Sequence, residues 1–273
     1  MSKLKDKVIF ITGASRGIGR EIALRCAKEG AKIVIAAKSD QPHPKLEGTI
    51  HSVAKEVEAA GGIALPVLMD IREESMVHEA VSKAVTAFGG VDILVNNASA
   101  ISISNTLETS MKRFDLISSV NARGTFLCSQ MCIPHLLKSN NPHILNLSPP
   151  LNMQAKWFKD HLAYTMSKYG MSMCTLGMAE EFRAAGIAVN SLWPQTTIAT
   201  AAIAFNFPRE ILNASRKPAI MADAAYEIFI RDSRKTTGNF FIDEEVLKES
   251  GVKDFEQYAM HPNVPLFTDL FLN

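Results

Sequence analysis

The sequence contains only four cysteines, and their spacing is not that of a metal site. Cys26, Cys128, Cys132 and Cys174 form no CxxC motif and no zinc-type pattern. Cys128 and Cys132 would share one face of a helix, where two thiols suit core packing better than metal coordination. We therefore predict no metal site, and the cysteines fit a protein of a reducing compartment.

An excess of charge and a long apolar run are also lacking. The 29 lysine and arginine residues balance the 28 acidic ones to a formal net charge of +1, which gives no general attraction to nucleic acid or to anionic membranes. No apolar run approaches the ~18 residues of a membrane span. The start, MSKLKDKVIFITG, has no signal-peptide cleavage pattern. We expect no nucleic-acid partner, no membrane span and a cytoplasmic location, with a peroxisomal or mitochondrial one as the alternative for a eukaryotic source.

Apolar, β-branched runs alternate with longer helical patterns along most of the chain. The predicted strands are KVIFIT, AKIVIAA, GIALPVLMD, VDILVNN, HILNLS, IAVNSLW and GNFFID. Alternating strands and helices require crossover connections, and these produce a parallel sheet that is covered on both faces. We predict an α/β fold with a Rossmann-type doubly wound parallel sheet of about seven strands and helices on both faces.

The chain shows no internal repeat, low-complexity tract or linker, so we predict a single domain over residues 1–273. Its hydrophobic share of 47% and charged share of 21% are those of an ordinary soluble globular protein. One long helical segment is predicted near 109–138. The segment 196–220 lacks a clear period and is a candidate substrate flap.

The segment ITGASRGIG, residues 11–19, connects the first predicted strand to an amphipathic helix. Gly13, Gly17 and Gly19 lie in the turn, where missing side chains let backbone N–H groups approach a pyrophosphate at the positive end of the helix. The GxxxGxG spacing is weak evidence alone, and the strand before it and the helix after it strengthen it. A structural turn without a ligand is the alternative to the dinucleotide site that we predict.

The end of the second predicted strand indicates which nucleotide would bind. An acidic residue about 20 residues after the glycine loop would hold the ribose 2′-hydroxyl of NAD. This chain instead has Ala36, Ala37 and Lys38, and Arg16 lies inside the glycine loop. Two cations without a carboxylate suit the 2′-phosphate of NADP. The alternative is that Lys38 is a solvated side chain that binds no ligand. The pattern favours NADP(H).

Taken together and in order, the motifs resemble those of the short-chain dehydrogenase/reductase superfamily. They are TGASRGIG, Asp70 after the third strand, NNASA at 96–100, Asn121 and YTMSK at 164–168, and they span about residues 7–195. Longer segments, among them AKSDQPHPKLEGTI, LSPPLN and TGNFFIDEE, resemble the hydroxysteroid-dehydrogenase-like members of that superfamily. Animal members of this type add a C-terminal sterol-carrier-like domain and are associated with peroxisomes. We expect this chain to be a relative built without that domain or a shortened form of one.

Tyr164 and Lys168 lie four residues apart in a predicted helix and therefore share a face. A phenol with a pKa of ~10 is a poor acid–base catalyst at neutral pH, and a neighbouring ammonium lowers that pKa. The tyrosine could then donate a proton to a carbonyl oxygen, or accept one in the reverse reaction. Such a pair on an exposed helix face would mean little without the glycine loop. The resemblance also assigns the lysine to the nicotinamide ribose.

The resemblance gives roles to further residues. Asp70 corresponds to a carboxylate that contacts the adenine, with a helix N-cap before REES as the alternative. Asn96 opens the NNA turn of the cofactor floor, although Ser99 stands where the family usually has glycine. Asn121 corresponds to the asparagine that anchors a water between the lysine and bulk solvent. The full set of predicted cofactor contacts is Gly13, Ser15, Arg16, Gly17, Ile18, Gly19, Lys38, Asp70, Asn97, Lys168 and Thr197.

The substrate half of the site departs from the family pattern. In the family, two residues separate a strand asparagine from the catalytic serine that follows it. Counted from Asn146, the position of that serine is Pro149, and Ser148 comes one residue early. Neighbouring strand residues point to opposite faces, so the shift matters unless the backbone bulges. Ser148 either supplies the missing donor or bonds to nearby groups at the strand end. Similarly, WPQTT replaces the family's Pro-Gly, which leaves Thr197 a less certain contact.

Two classes of function are open on this basis. The first is an NADP-dependent oxidoreductase that interconverts an alcohol and a carbonyl on an apolar, lipid- or steroid-like substrate, with Tyr164, Lys168, Asn121 and Ser148 as the catalytic residues. The second is a nucleotide-binding protein with little or no catalysis, a sensor or scaffold. Intact Tyr164, Lys168 and Asn121 favour the first, and Pro149 keeps the second open. The resemblance further implies a homodimer or homotetramer, and it leaves the physiological substrate undefined.

Overall fold

Seven strands form one parallel sheet in the computed structural model, which describes residues 3–272. The strands are Val8–Thr12 (β1), Lys32–Ala37 (β2), Ile63–Leu68 (β3), Ile93–Asn96 (β4), His143–Asn146 (β5), Ala188–Trp193 (β6) and Phe240–Ile242 (β7). Their order across the sheet is β3-β2-β1-β4-β5-β6-β7, and all neighbours are parallel. Each predicted run contains one of these strands, so the predicted Rossmann-type fold is confirmed.

Both faces of the sheet are buried, as the continuous apolar runs require. In β1, Ile9 and Ile11 pack into one hydrophobic cluster, and Val8 and Phe10 pack into the other, on the opposite face. This alternation follows from the two-residue repeat of a strand. A strand that is buried at every position, as β1 is, can therefore only lie between two layers of helices.

Ten α-helices surround the sheet within the described residues. They are Gly17–Ala27 (α1), Ile50–Ala59 (α2), Glu74–Phe88 (α3), Met111–Ser118 (α4), Gly124–Leu136 (α5), Leu162–Glu181 (α6), Ala201–Asn206 (α7), Arg209–Asn213 (α8), Ala219–Phe229 (α9) and Asp243–Glu249 (α10). The buried residues of α1, α2, α9 and α10 pack on the face that receives Ile9 and Ile11. The buried apolar residues of α3 and α5, together with Met178 and Ala179 of α6, pack on the other face.

The helix predicted near 109–138 is interrupted by a π-helical turn. Residues Ser119–Arg123 form this turn between α4 and α5, and it carries Asn121. A π-helical turn inserts one extra residue into a helix and occurs frequently at functional sites. The hydrophobic pattern does not reveal it, because the helix continues on both sides.

The candidate flap at 196–220 contains the two short helices α7 and α8. Its ends are anchored, since Ile198 and Arg216 are buried and form a β-bridge with each other. Residues 201–214 between them are partly or fully exposed. Movement of this segment as a flap stays a prediction.

The order of the strands reverses between β1 and β4. In doubly wound sheets the loops at the carboxyl ends of the strands diverge at this point and leave a crevice, where ligands bind. Among residues 3–272, no helix has the length and apolar character needed to cross a membrane.

Candidate active site

A cleft of about 400 Å³ opens at the carboxyl ends of β1, β2 and β4, at the crevice that the topology predicts. Its lining fits a dinucleotide, because it combines the glycine loop, the start of α1 and basic side chains. The predicted contacts within the lining are Gly13, Ser15, Arg16, Gly17, Ile18, Lys38, Asp70 and Asn97. The predicted contacts outside it are Gly19, Lys168 and Thr197.

Close packing against the loop after β4 explains two of the three glycines. A Cβ on Gly13 would lie 2.9 Å from Cα of Ala98, and a Cβ on Gly19 would lie 2.5 Å from Nδ2 of Asn97. Nδ2 of Asn97 donates to the carbonyl oxygens of Thr12 and Gly13, at 2.8 Å and 3.1 Å. These glycines are therefore required by the contact between two loops of the protein, in addition to any role in nucleotide binding.

Basic side chains lie near the carboxyl end of β2. Lys38 lines the cleft directly after the strand. The guanidinium of Arg16 donates to the carbonyl oxygens of Glu47 and Gly48, at 3.0 Å and 2.9 Å. These bonds attach the loop between β2 and α2 to the glycine loop and hold the arginine at the cleft.

Asp70 lies in the cleft and is bound by Arg72. Oδ1 of Asp70 accepts hydrogen bonds from the backbone N–H and Nε of Arg72, at 3.0 Å and 2.9 Å. The hydrogen bonds from Arg72 hold the pKa of Asp70 below its usual range, and Lys38 has a smaller effect in the same direction. The N-cap of α3 is Glu73, so Asp70 stabilises a turn before the helix rather than the helix end. Arg72 is a third cation of the cleft, which the sequence analysis did not identify.

The side chain of Asn121 connects the π-helical turn to α6 and to the loop after β4. Its Oδ1 accepts from the hydroxyl of Ser99 at 3.1 Å and from the N–H of Ala100 at 2.8 Å. Its Nδ2 donates to the carbonyl of Ala100 at 3.0 Å and to the hydroxyl of Ser167 at 2.9 Å. All four hydrogen bonds that this amide can make are used within the protein. Asn121 therefore fixes the loop containing Ser99 beside the helix that carries Tyr164.

Lys168 is buried at the carboxyl end of β5. Its Nζ donates to the carbonyl oxygen of Leu147 at 2.6 Å and lies 5.0 Å from the ring centroid of Trp193. Burial lowers the pKa of Lys168 to about 7, and the negative charge of Asp269 opposes this effect. Burial therefore favours the neutral amine over the ammonium, and the hydrogen bond to Leu147 fixes the lysine to the end of the strand.

Tyr164 precedes Lys168 by one helical turn, on the same face of α6, and is 6% exposed. Burial raises the pKa of its phenol, and Asp269 raises it further. This direction is opposite to the lowering expected from the neighbouring lysine, and the cause is the exclusion of water from the phenol. The predicted activation of the tyrosine therefore needs a change in what covers it.

The hydroxyl of Ser148 takes part in a chain of buried hydrogen bonds. Its Oγ lies 2.8 Å from Oγ of Ser191, which lies 2.7 Å from Oγ1 of Thr175. Nδ2 of Asn146 donates to Thr175 at 2.8 Å, so the chain connects β5, β6 and α6. Ser148 is fully buried. Its use as a catalytic donor stays a prediction, and the bond to Ser191 corresponds to the alternative in which it bonds locally at the strand end.

The two threonines after β6 differ in their surroundings. Oγ1 of Thr197 lies 2.8 Å from Oγ of Ser215 within the protein. Oγ1 of Thr196 is buried and has no hydrogen-bond partner within the described residues, which leaves it available to a ligand. Thr200 lines the cleft, where it faces Gly17. Neither a motif nor a period of the sequence identifies Thr200 among the threonines of TTIAT.

The residues that cover Tyr164 belong to the C-terminal segment, residues 267–272, and no sequence motif predicts this contact. Phe271 of this segment is buried, and its ring centroid lies 6.5 Å from that of Tyr164. Asp269 lies close enough to influence the pKa values of both Tyr164 and Lys168. The apolar pattern of DLFLN indicates burial, but it does not indicate where the segment binds.

Comparison with known proteins identifies the family. The family model described as short chain dehydrogenase matches residues 7–208. The chain belongs to the short-chain dehydrogenase/reductase family. Within this family it is 59% identical to hydroxysteroid dehydrogenase-like protein 2 of Danio rerio over 271 residues. That match covers 99% of this chain and 65% of the relative, and the corresponding match in Rattus norvegicus has 61% identity and covers 51% of the relative. The chain thus spans about half to two thirds of the length of these relatives.

Solved structures of the family agree with the fold. A crystal structure from Xanthomonas campestris has a TM-score of 0.96 and 53% sequence identity, and the match covers 99% of each chain. More distant members, each 24% identical, include a metagenomic short-chain oxidoreductase in complex with NADP and a short chain dehydrogenase from Mycobacterium paratuberculosis bound to NAD. They cover 88% of this chain with TM-scores of 0.73 and 0.74. Proteins of this one fold therefore use either nucleotide.

Proposed function

We propose that the protein is an NADP-dependent oxidoreductase with a single nucleotide-binding domain, which interconverts an alcohol and a carbonyl group on an apolar, lipid- or steroid-like substrate. The observation that carries the proposal is the placement of Tyr164 and Lys168. They lie one turn apart on α6, among apolar and aromatic side chains at the carboxyl end of the sheet. Membership of an oxidoreductase family supports this assignment.

The proposed chemistry divides the work between the cofactor and the protein. NADP(H), when bound, supplies or accepts the hydride. The Tyr164 hydroxyl donates a proton to the carbonyl oxygen during reduction and accepts one from the alcohol during oxidation. Lys168, anchored to the carbonyl of Leu147, places a positive charge near the phenol and favours its ionised form once water or substrate replaces the present covering. Asn121 holds the adjoining loop in position.

The preference for NADP over NAD is part of the proposal. Its support is the group of three cations around the cleft, Arg16, Lys38 and Arg72, and the absence of a carboxylate directly after β2 in the sequence. A 2′-phosphate gains charge-assisted hydrogen bonds from such a group. Asp70 neutralises part of this charge through its pairing with Arg72, which leaves Lys38 and Arg16 as the residues on which the preference depends.

The experiment that tests the function follows NADPH absorbance with a panel of apolar ketones. Tyr164→Phe should lower turnover by the ~10²–10⁴-fold typical of general acid–base groups and leave NADPH binding nearly unchanged. Lys168→Ala should weaken both. Tyr226→Phe is the matched control, because Tyr226 lies on α9 against Arg25, on the other side of the sheet. Unchanged turnover in Tyr164→Phe would exclude this mechanism.

A second candidate function is nucleotide binding with little catalysis. The observation that favours it is the covering of Tyr164 by Phe271, together with Pro149 at the position where the family has a serine. A protein of this kind would bind NADPH and show no turnover on any member of the panel. The Tyr164→Phe substitution would then have no measurable consequence.

We also propose that the protein acts as a homodimer or homotetramer in a reducing compartment such as the cytoplasm. The apolar side chains exposed on α5 and α6 support the assembly. All four cysteines are free thiols, which supports the compartment.

A further inference from the structure

The ring of Phe271 occupies a recess formed by five aromatic side chains, called here the aromatic recess. The centroid of Phe271 lies 5.3 Å from that of Tyr169, 5.8 Å from Trp157, 5.9 Å from Trp193, 6.1 Å from His161 and 6.5 Å from Tyr164. These distances are those of favourable edge and tilted aromatic contacts. Phe271 is 1% exposed. One side chain from the end of the chain therefore fills a space that borders the proposed acid–base residue.

Main-chain hydrogen bonds hold the C-terminal segment over the loop that follows β6. The N–H of Thr197 donates to the carbonyl of Phe267 at 2.9 Å, and the N–H of Asp269 donates to the carbonyl of Gln195 at 3.2 Å. Nε1 of Trp193 donates to the carbonyl of Leu270 at 2.9 Å. The bonds to Thr197 and Gln195 are those of a short antiparallel ladder, and they place Phe271 at the recess without contribution from a helix or a long strand.

The attachment of the segment has features of a reversible contact. Phe271 has a φ of +73°, in the left-handed region that bulky residues rarely adopt. Residues 267 and 268 are exposed, and Phe271 and Leu272 border an open groove formed with residues 150–154. Backbone strain opposes the binding of the ring, and the groove provides space into which it can move.

We propose that the C-terminal segment is an intramolecular cap, and that the aromatic recess is the binding site for an apolar ring of the substrate, which takes the place of Phe271. This inference rests on the proposed function and specifies its substrate as an alcohol or ketone attached to a flat, uncharged ring system. The ring lies in the recess and the oxygen reaches Tyr164. The capped form is the resting state, and it opens before substrate binds.

The chemistry of the recess selects this class of ligand. Its walls are aromatic rings, extended by Ile117 and Ile242 from the same hydrophobic cluster. Burial lowers the pKa of His161, which keeps that imidazole neutral at pH 7. A carboxylate or phosphate on the ring would lose its hydration without gaining a partner on these walls. An uncharged ring gains the same contacts that Phe271 now makes.

The charges around Tyr164 agree with a resting state. In the capped form, burial raises the pKa of the Tyr164 phenol, and the charge of Asp269 raises it further. Burial also raises the pKa of Asp269, to about 7, and this carboxyl group is in a partly exposed residue. Displacement of the segment removes both Phe271 and Asp269 from the phenol. Both causes that raise the pKa of the phenol are then lost, and its pKa falls toward the ordinary value, in the direction that acid–base catalysis requires.

The first test measures the binding of 2-acetylnaphthalene, an uncharged aromatic ketone, by equilibrium dialysis to the full chain without nucleotide. Phe271→Ala should bind this probe at least fivefold more tightly than the unsubstituted protein, because the recess no longer has an internal occupant. Phe267→Ala is the matched control: it removes an exposed ring of the same segment and keeps the main-chain bonds. It should bind within twofold of the unsubstituted protein.

Equal or weaker binding by Phe271→Ala would overturn the cap, since Phe271 would then be a wall of the substrate site. The proposed function is judged separately, by NADPH oxidation with the same ketone. Tighter binding without turnover leaves the cap in place and rejects the oxidoreductase. Turnover together with weaker binding rejects the cap and supports the oxidoreductase.

A second test does not depend on how Phe271→Ala folds. Thr196 and Thr268 are partners in an antiparallel bridge, so the double variant Thr196→Cys/Thr268→Cys can be oxidised to hold the cap closed. Oxidation should weaken binding of 2-acetylnaphthalene at least fivefold, and a reductant should restore it. The reduced form of the same protein is the control. Equal binding by the oxidised and reduced forms would overturn the proposal.

Discussion

Lys38 stands where a carboxylate would bind the ribose of NAD, and it carries the predicted choice of nucleotide. We expect NADPH to bind at least tenfold more tightly than NADH, a difference of ~1.4 kcal/mol. Lys38→Asp should erase or invert the preference, because the new carboxylate would repel a 2′-phosphate. Titrations with both nucleotides measure this. Lys55→Asp, on the exposed face of α2, should keep the preference, and equal affinities in the unsubstituted protein would contradict the assignment.

His143 provides a prediction for stability. It is 1% exposed, with Nε2 3.2 Å from the carbonyl of Arg231, and burial lowers its pKa to about 4. The unfolded chain binds a proton below pH ~6.5 and the folded protein only below about 4, so stability falls as pH decreases through that window. We expect His143 to reduce the unfolding free energy by about 2 kcal/mol between pH 7 and pH 5. Denaturant titrations measure it.

The comparison for this prediction is His143→Phe, which places an uncharged ring beside Phe229. Other groups also titrate between pH 7 and pH 5, so the relevant quantity is the difference between the two proteins. The variant should lose less stability over that range. Identical pH dependence in both proteins would show that His143 does not carry the effect.

At the scale of elements, the loop between β2 and α2 packs closely against the glycine loop at Gly48. This residue has a φ of +91°, and a Cβ on it would lie 2.1 Å from the carbonyl oxygen of Ser15. Alanine would therefore displace the loop and, with it, the guanidinium of Arg16. We expect Gly48→Ala to weaken NADPH binding tenfold or more, ~1.4 kcal/mol.

The matched control for Gly48→Ala is Gly89→Ala at the end of α3. Gly89 has a φ of +89°, and a Cβ there would meet no atom within 4 Å. Both substitutions introduce the same backbone strain, and only the first introduces a collision. Calorimetric titration with NADPH compares them. If both variants lost the same affinity, the contact with Ser15 would not be the cause.

The strands and most helices could be predicted from the sequence because each has a clear local pattern. The run VIFIT begins with four consecutive apolar residues, and this requires two covered faces whatever its neighbours are. The π-helical turn at Ser119–Arg123 could not be predicted, since the apolar pattern continues through it. The fold is thus encoded locally, and the departures from regular helix are set by packing against α6.

The candidate site divides in the same way. Gly13, Lys38 and Asp70, for which cofactor contact stays a prediction, all line the cleft, because a glycine loop and the ends of parallel strands meet by topology alone. Thr200 and Phe271 could not be identified from the sequence. Their positions depend on the path of two irregular segments, 196–220 and 267–272, whose contacts are tertiary. The bond between Ser148 and Ser191 likewise depends on the pairing of β5 with β6.

At the scale of the whole molecule, apolar side chains exposed on α5 and α6 predict an assembly. Phe126, Met166, Met173 and Leu176 are each at least 50% exposed, which is unusual for neighbouring large apolar residues. We expect a homodimer or homotetramer in sedimentation experiments. Met173→Glu should shift it to a smaller species, because the interface would bury an unpaired charge.

The control for the assembly is Ile63→Glu. Ile63 is 52% exposed at the start of β3, the edge strand on the far side of the sheet from α5 and α6. This variant should keep the oligomeric state of the unsubstituted protein. A monomer in the unsubstituted protein, or equal dissociation by both variants, would contradict the predicted interface.

The packing of Gly13 and Gly19 against Ala98 and Asn97 has a consequence for how descendants of this sequence change over time. A lineage that stopped using a nucleotide would still need both glycines, because any side chain there would collide with the loop after β4. Under the proposed function Lys38 would be free to change, since no 2′-phosphate would need its charge. The two glycines would therefore persist in descendants whether or not they bind a nucleotide, and the lysine would persist only in those that do.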